Sequence, residues 1–139
     1  MKFKFKYVSY TLKGNFKNEE IIRPISVSLN DTQNERVISN YISETYSLFS
    51  EYGFIYEALE NNDLNGDICL QSWGGEILEN DIVEIYFSFD SDNKDYIAQI
   101  PRKDLLILLY KWRDFLQRVP DLEYEEIIDL DEINKKEQY

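Results

Sequence analysis

Histidine is absent from this chain of 139 residues, and cysteine occurs once, at Cys69. Without an imidazole, the sequence excludes serine–histidine and cysteine–histidine nucleophilic sites and histidine-ligated metal sites. A lone thiol forms neither a thiolate zinc site nor an intramolecular disulfide, so we expect Cys69 to be a small buried apolar residue. No glycine-rich phosphate loop is present. We therefore expect no catalytic residue, metal or cofactor, and a carboxylate glycosidase is the remaining enzymatic alternative.

One segment resembles the first half of a calcium-binding loop. Residues Asn61–Ile68 place oxygen-bearing side chains at loop positions one, three and five, Gly66 at position six and an apolar residue at position eight. The twelfth position is Ser72 instead of a bidentate glutamate, and Gly74 and Gly75 interrupt the helix that should follow. We therefore expect a polar connecting turn, with cation binding left open.

Two acidic segments are candidates for binding a basic partner. Acidic groups steer association with a basic protein, and nearby aromatic residues supply lasting binding energy. The alternative for both segments is a set of solvated surface acids. The first segment comprises Asp90, Asp92 and Asp95, and Trp73 lies in an expected loop before it. The second comprises Glu123, Tyr124, Glu125, Glu126, Asp129 and Asp131.

Composition predicts one folded, acidic domain covering residues 1–139, with an acidic C-terminal segment at 120–139. The hydrophobic fraction is 43%, and the formal charge is −12, from 15 basic and 27 acidic residues. Such a charge favours basic partners and disfavours direct contact with nucleic acid. No run of 18 apolar residues and no signal-peptide pattern occurs. We expect a cytoplasmic protein that does not enter membranes; its oligomeric state stays open.

The most apolar periodic stretch lies at residues 101–119 and predicts a helix. Pro101 suits a first helical turn, and Pro120 ends the helix. Leucines and aromatic residues recur at spacings of three and four, forming a broad apolar stripe. We expect this helix to pack on a sheet; the alternative is that part of the stripe is exposed to a partner.

Alternation at the N-terminus predicts a strand whose lysines face water and protect a sheet edge. Residues 20–29 predict a second strand, which forms a hairpin with the first and in which Pro24 implies an edge or a bulge. Thr32 and Glu35 are typical of a helix start, which favours a helix over residues 33–51. Residues 54–60 favour a short helix, with a strand as the alternative.

Residues 61–75 are expected to form a loop, followed by strands at 82–89 and 96–100. The tail after Pro120 fits an edge strand, a short helix or a docked segment. These elements predict an α+β fold in which the N-terminal hairpin and the 82–100 hairpin form one antiparallel sheet. The two main helices would pack on one face of that sheet.

The order of an aromatic N-terminal strand, the pair DIVEIYFSFD and DYIAQI, the helix PRKDLLILLYKWRDFL and an acidic tail resembles a known class of proteins. It is similar to the immunity proteins of bacterial polymorphic-toxin and contact-dependent growth inhibition systems. That resemblance covers about residues 82–130. It implies a small antitoxin that binds and neutralises a cognate toxin, often a basic nuclease, by covering its active site or substrate-binding surface.

Two other functions fit the composition. An acidic mimic of nucleic acid would inhibit a restriction or CRISPR enzyme, but it needs a continuous acidic face, and residues 1–29 and 101–119 are net basic. A non-enzymatic adaptor would use its acidity only for solubility. Binding that competes with nucleic acid and weakens steeply with salt would distinguish the mimic from the toxin inhibitor.

Overall fold

The computed structural model describes residues 1–46 and 53–137. Within these ranges the chain forms two three-stranded antiparallel sheets and four α-helices, which confirms the expected α+β fold. The strands are β1 (Lys2–Lys13), β2 (Asn18–Ser28), β3 (Trp73–Ile77), β4 (Ile82–Phe87), β5 (Ala98–Pro101) and β6 (Glu125–Asp129). The helices are α1 (Gln33–Glu44), α2 (Gly53–Glu60), α3 (Arg102–Leu116) and α4 (Leu130–Glu137).

The first sheet has the strand order β2-β1-β6, and it contains the expected N-terminal hairpin. Pro24 lies on the edge strand β2, opposite Tyr7, as its missing N–H predicts. The interpretation of the lysines as edge protection is wrong, because β1 is the central strand. The C-terminal strand covers its proximal half, and the Lys4 ammonium lies 3.1 Å from the Glu125 carboxylate across this pair.

The second sheet has the order β3-β4-β5. The expectation that the two hairpins form one sheet is therefore wrong. The expected loop at 61–75 ends early, because Trp73, Gly74 and Gly75 belong to β3. These glycines serve close packing instead of a turn. A Cβ on Gly75 would lie 2.8 Å from Cδ1 of the buried Ile68, and one on Gly74 would collide with the Tyr86 ring.

Helix α3 lies in the core, as its apolar stripe predicts. Its buried residues are Leu105, Leu108, Leu109, Trp112 and Phe115. The Trp112 ring contacts Phe5 of β1 with 5.0 Å between ring centroids, so this helix packs on the first sheet.

Helix α2 confirms the helical interpretation of residues 54–60. The expected first helix reached residue 51, and its part beyond residue 46 lies outside the described residues.

The first turn of α1 joins the two sheets. The Glu35 side chain, which is buried, accepts a hydrogen bond from the backbone N–H of Lys2 in the first sheet at 2.8 Å. The Asn34 side chain bonds both the N–H and the carbonyl of Gln99 in the second sheet, at 2.9 and 2.8 Å. Thr32 caps the helix by accepting from the Glu35 N–H, as expected. Two neighbouring residues therefore fix the sheets to one helix end.

The acidic tail contains both an edge strand and a short helix. Strand β6 pairs with residues 2–6 of β1, and α4 follows without a break. Ile128 and Leu130 anchor this segment, with about 3% and 1% of their surfaces exposed. Burial of alternate apolar residues explains why so acidic a sequence is part of the domain.

Candidate protein-interaction surface

Four aromatic rings form a cluster at one end of the second sheet, where β3 begins and β4 ends. Trp73 faces Phe87 across the strand pair, with ring centroids 5.1 Å apart. Phe87 lies 5.6 Å from both Phe89 and Tyr96, and Trp73 lies 6.4 Å from Tyr96. Phe89 is 78% exposed and Tyr96 is 44% exposed. We call these four residues the aromatic cluster.

The turn that carries Asp90, Asp92 and Asp95 connects two members of this cluster, Phe89 and Tyr96. Backbone bonds from Asp90 to the Phe87 carbonyl and from Asn93 to the Asp90 carbonyl hold the turn in shape. Asn93 caps the short 3-10 helix Lys94–Tyr96 by accepting from the Asp95 N–H at 3.0 Å. Trp73 and the turn with the first acidic segment therefore lie at the same end of the second sheet.

The three carboxylates of this turn are exposed, and none of them forms an ion pair within residues 1–46 and 53–137. Asp90 accepts one hydrogen bond, from the Asn93 amide at 3.0 Å. Free carboxylates around exposed rings combine long-range attraction for a basic protein with an apolar contact area. This surface can therefore bind a basic partner without breaking an internal ion pair.

The second acidic segment is more strongly bound to the fold. The Tyr124 ring stacks on Phe115 at 6.1 Å between centroids, and the Arg118 guanidinium lies 3.8 Å from the centre of the Tyr124 ring. Glu125 pairs with Lys4, and the Tyr124 hydroxyl donates to Glu126 at 3.4 Å. These contacts give the segment a structural role that its composition does not reveal.

The end of this segment starts a helix and holds the N-terminus. Asp129 accepts from the backbone N–H groups of Asp131 and Glu132, at 3.1 and 3.2 Å, in the position of an N-cap. The Asp131 carboxylate lies 3.4 Å from the N-terminal ammonium. Glu123 is exposed, and among the described residues its side chain has no hydrogen-bond or ion-pair partner. Of the proposed residues here, Glu123 is the freest to meet a partner.

The two acidic segments belong to different sheets and share no bond in the described part of the chain. The sequence interpretation also missed three members of the aromatic cluster, Phe87, Phe89 and Tyr96. Their signal was present in the alternation of IYFSFD, which continues one apolar position beyond the end of β4. An aromatic side chain after the last paired residue of a strand has no neighbouring strand to cover it.

The segment that resembles a calcium loop forms turns, as expected. Asp63 accepts from the Asn65 N–H at 3.0 Å and Asp67 from the Cys69 N–H at 2.9 Å, so both carboxylates stabilise the backbone. Over residues 1–46 and 53–137, no group of three cysteine or acidic residues could hold a metal.

Cys69 is half-buried, in contrast to the expected full burial. Its Sγ lies 3.6 Å from the Tyr86 hydroxyl. That hydrogen bond, together with burial, raises the pKa of Tyr86 to about 12. Cys69 thus combines packing with a polar contact.

Comparison with known proteins identifies the family of this chain but not its activity. The sequence matches a family of unknown function, DUF5376, over residues 1–134. The chain belongs to this family.

The chain is similar to UPF0275 protein PM0504 of Pasteurella multocida (strain Pm70), at 29% identity with 95% of each chain covered. It also resembles UPF0275 protein PM0505 of the same strain, at 28% identity over 70% of this chain and 78% of the relative. No solved structure matches. In the part of this chain that the structure describes, no helix is both long and apolar enough to cross a bilayer.

Proposed function

We propose that this protein is an immunity protein that binds and neutralises a basic protein toxin in the cytoplasm. The observation that carries the proposal is the aromatic cluster with its three unpaired carboxylates. The resemblance to polymorphic-toxin immunity proteins supplies the biological class. The proposed role is non-enzymatic: the bound inhibitor covers the toxin's active site or substrate-binding surface.

Exposed aromatic residues support a binding role. Large apolar side chains are normally withdrawn from water, and Phe89 at 78% exposure is an exception. Aromatic residues near the centre of an interface contribute most of the binding energy, because burying them removes a large apolar area from water. Phe89 and Tyr96 can meet a partner without rearrangement of the core, since both already project from it.

The carboxylates support a basic partner in particular. Nucleases carry basic clefts because they bind phosphates, and an inhibitor of a nuclease must offer negative charge there. Asp90, Asp92 and Asp95 have no ion-pair partner in the described residues 1–46 and 53–137, so their field extends into solvent. They are expected to raise the association rate, while the rings slow dissociation.

A mimic of nucleic acid is less well supported. Its acids must continue across the surface, but Lys2, Lys4 and Lys6 lie on one strand of the first sheet. Only Lys4 of these three has an ion-pair partner among the described residues, so basic charge interrupts the acidic surface.

Charge reversal tests the proposed surface. The triple variant Asp90→Lys, Asp92→Lys, Asp95→Lys should slow association with the toxin and abolish protection of cells that express it. Reversal of three exposed acids elsewhere, Glu57, Glu79 and Asp114, is the matched control. Equal protection by the two triple variants would exclude the aromatic cluster as the interface.

A further inference from the structure

The distal half of the N-terminal hairpin projects from the body of the protein. Residues 9–20 are all exposed, and the pairing of β1 with β2 continues to the pair of Lys13 and Asn18. We call residues 9–20 the arm. Its turn requires Gly14, because a Cβ there would lie 2.6 Å from the Lys17 carbonyl oxygen. The arm is a well-formed hairpin that packs on little of its own chain.

One edge of the arm has free backbone groups. The Leu29 N–H donates to the Lys2 carbonyl, so even-numbered residues of β1 direct their backbone groups towards β2. Odd-numbered residues therefore face the other side, where β6 covers Phe3 and Phe5 and then ends at the pair of Lys6 and Glu125. Beyond that pair, Tyr7 lies opposite Tyr124, and Ser9, Thr11 and Lys13 have no backbone partner within residues 1–46 and 53–137.

Parts of the other sheet edges are better protected, and Pro24 leaves one outward position of β2 without an N–H. Ser43 of α1 bonds the backbone N–H of Ser26 on β2 at 2.9 Å. Asn34 occupies both backbone groups of Gln99 on β5. An edge with free N–H and carbonyl groups is a template for another strand. The distal edge of β1 lacks such protection.

We propose that two copies of this chain form a dimer by antiparallel pairing of their β1 arms. The free residues find partners when Ser9 faces Lys13 of the second copy and Thr11 faces its own counterpart. In that register Tyr10 faces Leu12 of the second copy.

Side chains on both faces suit this register. Tyr10 and Leu12 are 41% and 49% exposed, and the two Tyr10–Leu12 pairs across the interface form one apolar stripe. On the opposite face, the two Thr11 hydroxyls meet and can share a hydrogen bond. Pairing through the outer edge of β6 is unfavourable by comparison, because Glu125 would face Asp129 of the second copy.

The arm tip and the start of β6 are also complementary. The same register brings the tip of one copy, residues 14–17, towards Val8 of the other, close to the start of β6. A groove of about 810 Å³ lies beside this point; it is lined by Ile22, Arg118, Val119, Pro120, Asp121, Leu122, Glu123 and Tyr124. At the tip of the arm, the fully exposed Phe16 can pack on Val119 and Leu122, the exposed apolar residues of this groove. Lys13 and Lys17 at the tip are opposite in charge to Asp121 and Glu123, although Arg118 adds one positive charge to the groove.

Sedimentation over a wide range of concentrations tests the dimer directly. Wild-type protein should be dimeric and should dissociate on dilution. Thr11→Pro should raise the dimer dissociation constant at least about tenfold, because it removes an N–H that only the second copy uses. Glu20→Pro is the matched control: Glu20 faces Thr11 in the hairpin, and its N–H points to the outer edge of β2. This control should leave the dimer intact.

Two further measurements exclude a simple folding defect. Tyr10→Glu should also dissociate the dimer, because the register places each new carboxylate opposite the apolar Leu12 of the second copy, and its melting temperature as a monomer should match that of Thr11→Pro. Hydrogen exchange should show Ser9 and Thr11 protected only in the dimer, and Tyr10 and Leu12 protected in both states. A chain that stays monomeric at all concentrations would overturn the proposal, as would a dimer that resists both substitutions. The aromatic cluster is not involved, so neither result depends on the toxin-binding proposal.

Discussion

The buried carboxylate of Glu35 accepts a hydrogen bond from the backbone N–H of Lys2 at 2.8 Å. Its neighbour Asn34 bonds the backbone of Gln99 in the other sheet. Because one helical turn contacts both sheets, the orientation of the aromatic cluster depends on contacts far from it. The candidate surface is thus connected to the first sheet by polar contacts at one helix end, and loss of the Glu35 contact leaves the Lys2 N–H unpaired.

Glu35→Ala is expected to lower the free energy of unfolding by about 1–3 kcal/mol, because the Lys2 N–H loses its partner. Urea unfolding followed by circular dichroism measures the change. Arg36→Ala is a suitable control, since its ion pair with Asp31 is exposed on both sides and contributes little. Equal stability of the two variants would contradict a structural role for Glu35.

Trp112→Ala should destabilise the protein by about 3–5 kcal/mol, because the residue is fully buried against Phe5 and Phe115. This substitution tests the assignment of α3 to the core. Unchanged thermal stability with lost partner binding would instead place the helix at an interface.

Phe89→Ala should leave the melting temperature unchanged and weaken toxin binding at least about tenfold. An exposed aromatic residue adds to the binding energy only when the partner covers it. Calorimetric titration against the toxin measures the affinity. Phe16→Ala is the comparison, because Phe16 is even more exposed but lies on the arm. If both substitutions reduce toxin affinity equally, the aromatic cluster is not the specific contact.

Stability should fall as the pH rises from about 10 to about 12. Burial raises the pKa of Tyr56 to about 12, and its hydroxyl donates to the Leu109 carbonyl at 3.1 Å. In the unfolded chain tyrosine loses its proton near pH 10, so above that pH the unfolded state binds fewer protons than the folded state and is favoured. The contribution of Tyr56 is therefore complete below pH 10 and is lost as the pH passes the folded pKa.

Urea titrations at several alkaline pH values measure this loss. Tyr56→Phe should be less stable at neutral pH but should lose less stability between pH 10 and 12. A decline in the variant as steep as in the wild type would assign the alkaline transition to other groups, such as Tyr86.

Local patterns predicted several elements because the physical causes are local. Alternation identified β1, the apolar stripe identified α3, and the pair of Thr32 and Glu35 identified the start of α1. Glu35 was expected only as part of a helix start. Its bond to Lys2 joins residues 33 positions apart, and nothing in either local sequence indicates it.

Strand pairing and the accessibility of the acids were harder to predict. Strand β6 pairs with β1 across nearly the whole chain, and although the tail fits an edge strand, its local sequence does not indicate this partner. Trp73 lies at the same sheet end as the first acidic segment, because β3 pairs with β4 in a register that brings Trp73 to Phe87. Gly74 and Gly75 favour a loop in the sequence, whereas both belong to β3.

The most direct test of the central claim compares baits in a lysate of the organism that encodes the chain. Wild-type protein and the Glu57, Glu79, Asp114 charge-reversed control should retain the same basic protein at moderate salt, and the Asp90, Asp92, Asp95 variant should lose it. That protein should be toxic when expressed alone and harmless when co-expressed with the wild-type chain. Equal retention by all three baits, or a retained protein without toxicity, would contradict the proposal that this surface neutralises a toxin.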